Sequence, residues 1–254
     1  VEEGKSGGGI SFGYRVVKQL DARGDLGGGD REIEPREAEI VRRITGRTIG
    51  TIFRDEVAGP LGAEFHIGLP ESEEPKVAEI IPPSSAELAD LTAAPADDVG
   101  LRATVSTPLT GAEPNTRAWR AAEIPAAGGT GNARGVARVH ALLANGGTLD
   151  GVSLLSPGTV ERIFDEQIHV TDQVLRVPMR YGIGFGLMTE LIPLSPNPRS
   201  CFWGGWGGSI AVIDCDTRTT VAYVMNKMAS GLVGDTRGGL LAVLATNAAT
   251  ARRP

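Results

Sequence analysis

The sequence predicts an α+β fold, an antiparallel sheet flanked by helices, and three observations point there. Apolar residues recur at helical spacing in separate blocks, most clearly Val136, Val139, His140, Leu142 and Leu143. Towards the C-terminus the period falls to two, in Tyr181 to Leu187, Ser209 to Asp214 and Thr219 to Met225. The last runs follow one another across a short turn, Asp216-Thr217-Arg218, which suits a meander and not alternating β–α–β units.

Taken in order, residues 1–30 are rich in glycine, including Gly7-Gly8-Gly9 and Gly27-Gly28-Gly29. Ile10 to Val17 reads as a strand and Arg31 to Glu34 as its partner, a Gly-rich N-terminal β-hairpin. Pro35 suits a first helical position. Ala38, Val41 and Ile44 then mark a helix over 35–45. Gly4-Lys5-Ser6 lacks the preceding glycine and strand of a phosphate loop. Thr48 caps a helix through Ile49, Ile52, Phe53 and Val57, with Gly59-Pro60 as its stop. Phe65 to Leu69 is extended. Residues 70–129 are punctuated by proline and read as surface loop and short helix, the kind of excursion that can rim a site. Asn145-Gly146-Gly147 stops the helix that holds Val136, and Ser156-Pro157 opens the next. In Tyr181 to Leu187 glycine holds one face, so a helix or loop can press close. An Ala/Leu helix over Leu240 to Thr250 closes the chain.

Composition narrows the function. The 254 residues are 41% hydrophobic and 22% charged, which fits a globular chain. A net charge of −6 offers no electrostatic footprint for nucleic acid, and none is expected as a partner. No apolar run approaches the roughly 18 residues that cross a bilayer. Val1 to Lys5 has no signal-peptide pattern, and Val at position 1 suggests a trimmed or incomplete chain. Cys201 and Cys215 read as small buried apolar residues in a reducing, cytoplasmic setting. No histidine pair has metal spacing, so neither metal nor cofactor is expected. His140, on an apolar helix face, reads as a structural histidine.

The candidate site is Trp203, Gly204, Gly205 and Trp206, within Ser200 to Ser209. Glycine admits a ligand close to the backbone and frees N–H groups to face it, and tryptophan supplies a flat wall. The same glycines serve a hairpin corner equally well, and the motif alone does not separate the two. A Ser-His-Asp set drawn from Ser209, a histidine and Asp214 lacks the Gly-x-Ser-x-Gly elbow.

Two resemblances follow. Gly4 to Gly8, Gly13 to Val17, Asp30 to Ile33 and Glu37 to Ile44 resemble the start of the DNA-binding domain of large serine recombinases. Residues 1–44 hold eight Lys/Arg against nine Asp/Glu, which offers phosphates no net attraction. Thr45-Gly46-Arg47, Phe53 to Gly62, Gly131 to Arg134, Leu154 to Pro157, Gly182 to Phe185 and Trp203-Gly204-Gly205 resemble, in order, the C-terminal part of the β-lactamase-related serine hydrolases. Within these, the class C β-lactamase-like family VIII carboxylesterases are the most similar. That resemblance spans 45–254. It implies a truncated β-lactamase/transpeptidase-like fold and a small ester or amide substrate. It also implies that Trp203-Gly204-Gly205 stands on the strand lining the site, with Trp203 as a pocket wall and Trp206 N–H as half of an oxyanion hole.

The family's catalytic residues have no counterpart in this sequence. The residues three places before Lys5, Lys18, Lys76 and Lys227 are Glu2, Arg15, Glu73 and Val224, so there is no Ser-x-x-Lys. Tyr14, Tyr181 and Tyr223 are followed two places on by Val16, Ile183 and Met225, so there is no Tyr-x-Asn. The chain reads as a chimera joined within Ile40 to Thr45, inactive and without catalytic residues. The faces of Val136, Val139, Leu142 and Phe185 are expected to lack cover and to promote self-association.

Overall fold

The computed structural model describes residues 36–92 and 109–252. The glycine-rich hairpin predicted for residues 10–34 lies outside them. Two small antiparallel pairs come first: β1 (Phe65–Ile67) with β2 (Gly129–Gly131), and β3 (Thr148–Leu149) with β4 (Val152–Ser153). The main sheet follows, built from β5 (Ile168–Thr171), β6 (Pro178–Tyr181), β7 (Gly186–Leu187), β8 (Ser200–Gly204), β9 (Ile210–Asp214) and β10 (Thr219–Tyr223). Each strand pairs antiparallel with its sequence neighbours, in the order β10-β9-β8-β7-β6-β5. The predicted meander is therefore present and longer than the last strands alone.

Alternation along the strands divides the core in two. Leu187, Cys201 and Ile213 pack on one face with Ala144, Val160 and Ile163. Met179, Phe202, Ile210 and Val212 pack on the other with Ala242 of the C-terminal helix. Burying a side chain such as Phe202 or Ile213 contributes roughly 1.5–3 kcal/mol.

The Ala133–Ala144 helix follows its local signals. Asn132 Oδ1 accepts the Gly135 N–H at 2.8 Å. Val136, His140 and Leu142 are buried. At the other end Gly147 takes φ +92° and returns its N–H to Leu142 O at 2.8 Å, a glycine-terminated stop. Ser156 caps the Pro157–Glu161 helix as expected.

Four expectations need correction. Gly59-Pro60 does not end its helix. After Ile49–Ile52 the chain widens into a π turn, Phe53–Ala58, and Gly59–Leu61 continues to Gly62 at φ +58°. The wider turn gives the proline ring room, and its missing N–H breaks no ladder there. Tyr181 to Leu187 is not one strand. It is the end of β6, a tight turn closed by Gly182 N–H to Phe185 O at 3.0 Å, and β7. The predicted close approach is real, since a Cβ on Gly182 would strike the Ile163 carbonyl. The C-terminal helix starts at Thr236, capped by Asp235 Oδ1, and not at Leu240. Finally, Val136 and Leu142 are not bare, at 2% and 3% exposure, and Val139 and Phe185 are half-buried. Val136 packs on Ala211 beside Phe65, Ala222 and Val224, so the sheet itself supplies the cover.

Candidate active site

The segment from Trp203 to Ser209 forms the turn between β8 and β9. β7 faces only Cys201 and Phe202 of β8, so Trp203 and Gly204 run on past it. On the other side Trp203 and Gly204 pair with Ala211 and Ile210. The Trp203 ring lies 6.0 Å from that of Tyr181, whose hydroxyl donates to Asp172 Oδ2 at 3.0 Å. Trp206 packs against the buried Ile80, Met225 and Met228.

The turn is held by the loop before the C-terminal helix. Gly205 N–H donates to Ser209 O at 2.9 Å, and Gly205 O accepts from Gly234 N–H at 3.2 Å. Gly207 N–H donates to Gly231 O, and Gly207 O accepts from Ala229 N–H, both at 2.9 Å. Arg237 Nη2 also donates to Gly207 O at 3.0 Å, while Arg237 Nε donates to Asp235 Oδ2 at 2.9 Å. Gly207 and Gly208 sit at φ +101° and +122°. Between these fixed neighbours, no acceptor among the described residues engages the Trp206 N–H. Its indole Nε1 is likewise buried without a partner among them. A backbone donor held rigidly and left unsatisfied can serve an incoming oxygen.

The other polar residues that the sequence analysis weighed, and that are described, are engaged elsewhere. Ser209 is fully buried and its Oγ accepts the Met225 N–H at 3.2 Å. Asp214 lies at the opposite end of β9, where it is engaged by Ser195 and Asn197. Among the described residues no serine hydroxyl is hydrogen-bonded to a lysine or histidine, and no three metal-ligating side chains cluster. His140 donates from Nδ1 to Val136 O at 2.8 Å and stacks edge-on to Phe185. Burial pushes its pKa down, against that hydrogen bond, which raises it. Burial also raises both thiols, Cys215 to about 11.

The histidine shift has a measurable consequence. The unfolded ring protonates near the ordinary value of about 6.5, and the folded ring resists protonation. Stability is therefore complete above about pH 6.5 and falls as pH drops below it towards the folded pKa. The urea midpoint is expected to be lower at pH 5.5 than at pH 7.5, and His140→Gln should shrink that difference. Half-buried His66, also pushed down by burial, contributes with the same sign.

Sequence reasoning singled out Trp203 to Trp206 but not the residues that hold them in place. Asp235 ahead of a helix is a readable cap signal. The contact of Ile80 with Trp206 has no local signature.

An antiparallel meander with a helix on each face, and a glycine-tryptophan turn between β8 and β9, fits the β-lactamase/transpeptidase-like class of fold. The beta-lactamase family matches residues 38–245, and the chain belongs to that family. It is 32% identical over 213 residues to "Esterase/beta-lactamase LipL" of Mycobacterium tuberculosis (strain ATCC 25618 / H37Rv), covering 80% of this chain and 49% of the relative. Among solved structures it is similar to a family VIII carboxylesterase, at 37% identity and TM-score 0.73, covering 84% of this chain and 55% of that one. A penicillin-binding protein homolog from Caulobacter crescentus is 35% identical at TM-score 0.71, covering 82% and 55%. The chain thus spans about half the length of the relatives it matches. Among the described residues no helix is long and apolar enough to cross a membrane.

Proposed function

We propose that this chain carries the wall and one oxyanion donor of a serine hydrolase acting on small esters or amides, and carries neither the nucleophile nor its base. The observation that supports this reading is the unengaged Trp206 N–H at the end of β8. In acyl transfer a hydroxyl attacks the carbonyl carbon and the carbonyl oxygen becomes an oxyanion. One aligned N–H is worth roughly 10²–10³ in rate once that attack occurs. It accelerates nothing by itself, because the attacking oxygen and the group that removes its proton are what create the charge. Trp203 and Tyr181, with rings 6.0 Å apart and inclined by 50°, offer an aromatic surface suited to an acyl or alcohol group. The 254-residue chain is expected to hydrolyse nitrophenyl acetate and butyrate no faster than buffer. Saturable turnover contradicts the reading.

The apolar seat of Trp206 on Ile80, Met225 and Met228 favours a second reading, a non-catalytic acyl binder using the same wall. Residues 1–44 remain the basis of the recombinase-like reading, with the junction placed within Ile40 to Thr45. It ranks behind because those residues carry no net positive charge. Two buried thiols support a reducing, cytoplasmic setting.

A further inference from the structure

We infer that the start of the C-terminal helix and the sheet face beneath it form a binding site for an uncharged aliphatic chain of about eight carbons. The inference stands apart from the hydrolase reading, because none of Trp203 to Trp206 lines the site.

An apolar pocket of about 310 Å³ lies over β6, β8 and β9, lined by Leu175, Met179, Ile192, Leu194, Phe202 and Ile210. Met179, Phe202 and Ile210 are its buried floor. Val177 and Leu232, 41% and 36% exposed, mark its mouth. Gly239 of the C-terminal helix also borders it, and a Cβ there would come no nearer than 3.6 Å, to Leu194 Cδ2. Packing therefore does not demand glycine at 239. Its neighbour differs, since a Cβ on Gly238 would lie 2.5 Å from Ile210 Cγ2. Glycine inside a helix weakens it. At 239 it also withholds the side chain that would fill the pocket.

The lining selects the ligand. Among the described residues that line the pocket, Asp235 supplies the one polar side chain. Its Oδ1 accepts the Arg237 N–H at 2.8 Å and its Oδ2 accepts from Arg237 Nε at 2.9 Å. Two backbone donors of the lining are engaged too: Gly234 N–H with Gly205 O at 3.2 Å, and Gly239 N–H with Asp235 O at 2.9 Å. Water needs two to four polar partners to settle in a cavity, and these groups already have theirs. A cavity of about 150 Å³ lined by leucine, isoleucine and phenylalanine stays dry and takes up benzene. This pocket is of the same chemistry and larger. At about 30 Å³ for each water-sized group it holds roughly ten of them, which matches octanol. A carboxylate ligand fits poorly, because no cation stands among the described lining residues and Asp235 repels it.

The test is titration of the full 254-residue chain, isotopically labelled at its methionine methyl groups, with octanol, butanol and octanoate. Met179 lines the pocket, whereas Met225 and Met228 seat Trp206, so the methyl spectrum tells the two places apart. A saturable 1:1 shift of the Met179 methyl is expected with octanol. Its affinity should exceed that of butanol at least tenfold, since each methylene withdrawn from the pocket weakens binding. Octanoate should bind at least tenfold more weakly than octanol. Gly239→Leu, whose side chain occupies the pocket, should keep the circular dichroism and weaken octanol binding at least tenfold. Gly239→Ala, which adds one carbon at ordinary contact distance, should bind octanol within about twofold of the parent chain. A shift at Met225 or Met228 with none at Met179 overturns the inference and favours the acyl binder at the Trp206 wall. The absence of any saturable shift, octanoate binding as tightly as octanol, or equal octanol binding by the Gly239→Leu variant overturns it as well.

Discussion

Asp214→Ala is expected to cost about 4 kcal/mol, because it takes the acceptor from four donors, and a buried donor left unsatisfied costs roughly 1–3 kcal/mol. The carboxyl is completely buried at the end of β9. Its Oδ2 accepts from Ser195 Oγ at 3.0 Å and Asn197 Nδ2 at 2.6 Å, and its Oδ1 from the Asp216 and Thr217 N–H groups at 3.0 Å each. Asn197 Nδ2 also donates to Thr250 Oγ1 at 2.8 Å, so one carboxyl joins the β9–β10 turn, the loop before β8 and the end of the C-terminal helix. Alanine leaves four donors facing the space the carboxyl filled. A domain of this size loses roughly 2–4 °C per kcal/mol. Thermal unfolding should therefore shift down by roughly 12 °C. A shift under about 3 °C would show that these donors find other acceptors.

Gly208→Ala is expected to cost about 3 kcal/mol. At φ +122° an L-residue is strained, by roughly 1–3 kcal/mol. The added Cβ would strike Asp235 Oδ2 and lie 2.7 Å from Arg237 Nη2, for a further ~1–3 kcal/mol. Those two side chains are themselves paired, and Arg237 donates to Gly207 O, so moving either loosens the turn that presents Trp206. The urea midpoint should fall with unchanged slope. Ala in place of Gly62, where nothing lies within 4 Å of the added atom, should cost less. Equal losses at the two positions would mean that backbone strain alone, and not the Asp235–Arg237 clamp, sets the effect.

What could be read from the chain followed locality. β9 and β10 were legible because alternation and a turn define a hairpin within a dozen residues. The Ser156 cap was legible for the same reason. Tyr181 to Leu187 was misread because strict alternation looks the same whether the chain runs straight or folds back at Gly182–Phe185. The start of the C-terminal helix was hidden by Gly238-Gly239, which lower helix propensity by about 1 kcal/mol each. Glycine is needed at 238 because a Cβ would collide with Ile210 and Tyr223, a contact invisible in one dimension. At the site, Trp203 to Trp206 stood out by composition. The Asp235–Arg237 clamp and the Ile80–Met225–Met228 seat join segments far apart in sequence, and only the fold brings them together.

The deepest claim is that this polypeptide presents a place for an oxyanion without any oxygen able to attack. Intact-mass analysis after incubation with a fluorophosphonate reads that directly. The account predicts an unchanged mass at every incubation time. One phosphonyl group per chain, mapped to a single serine and lost on denaturation before labelling, would contradict it.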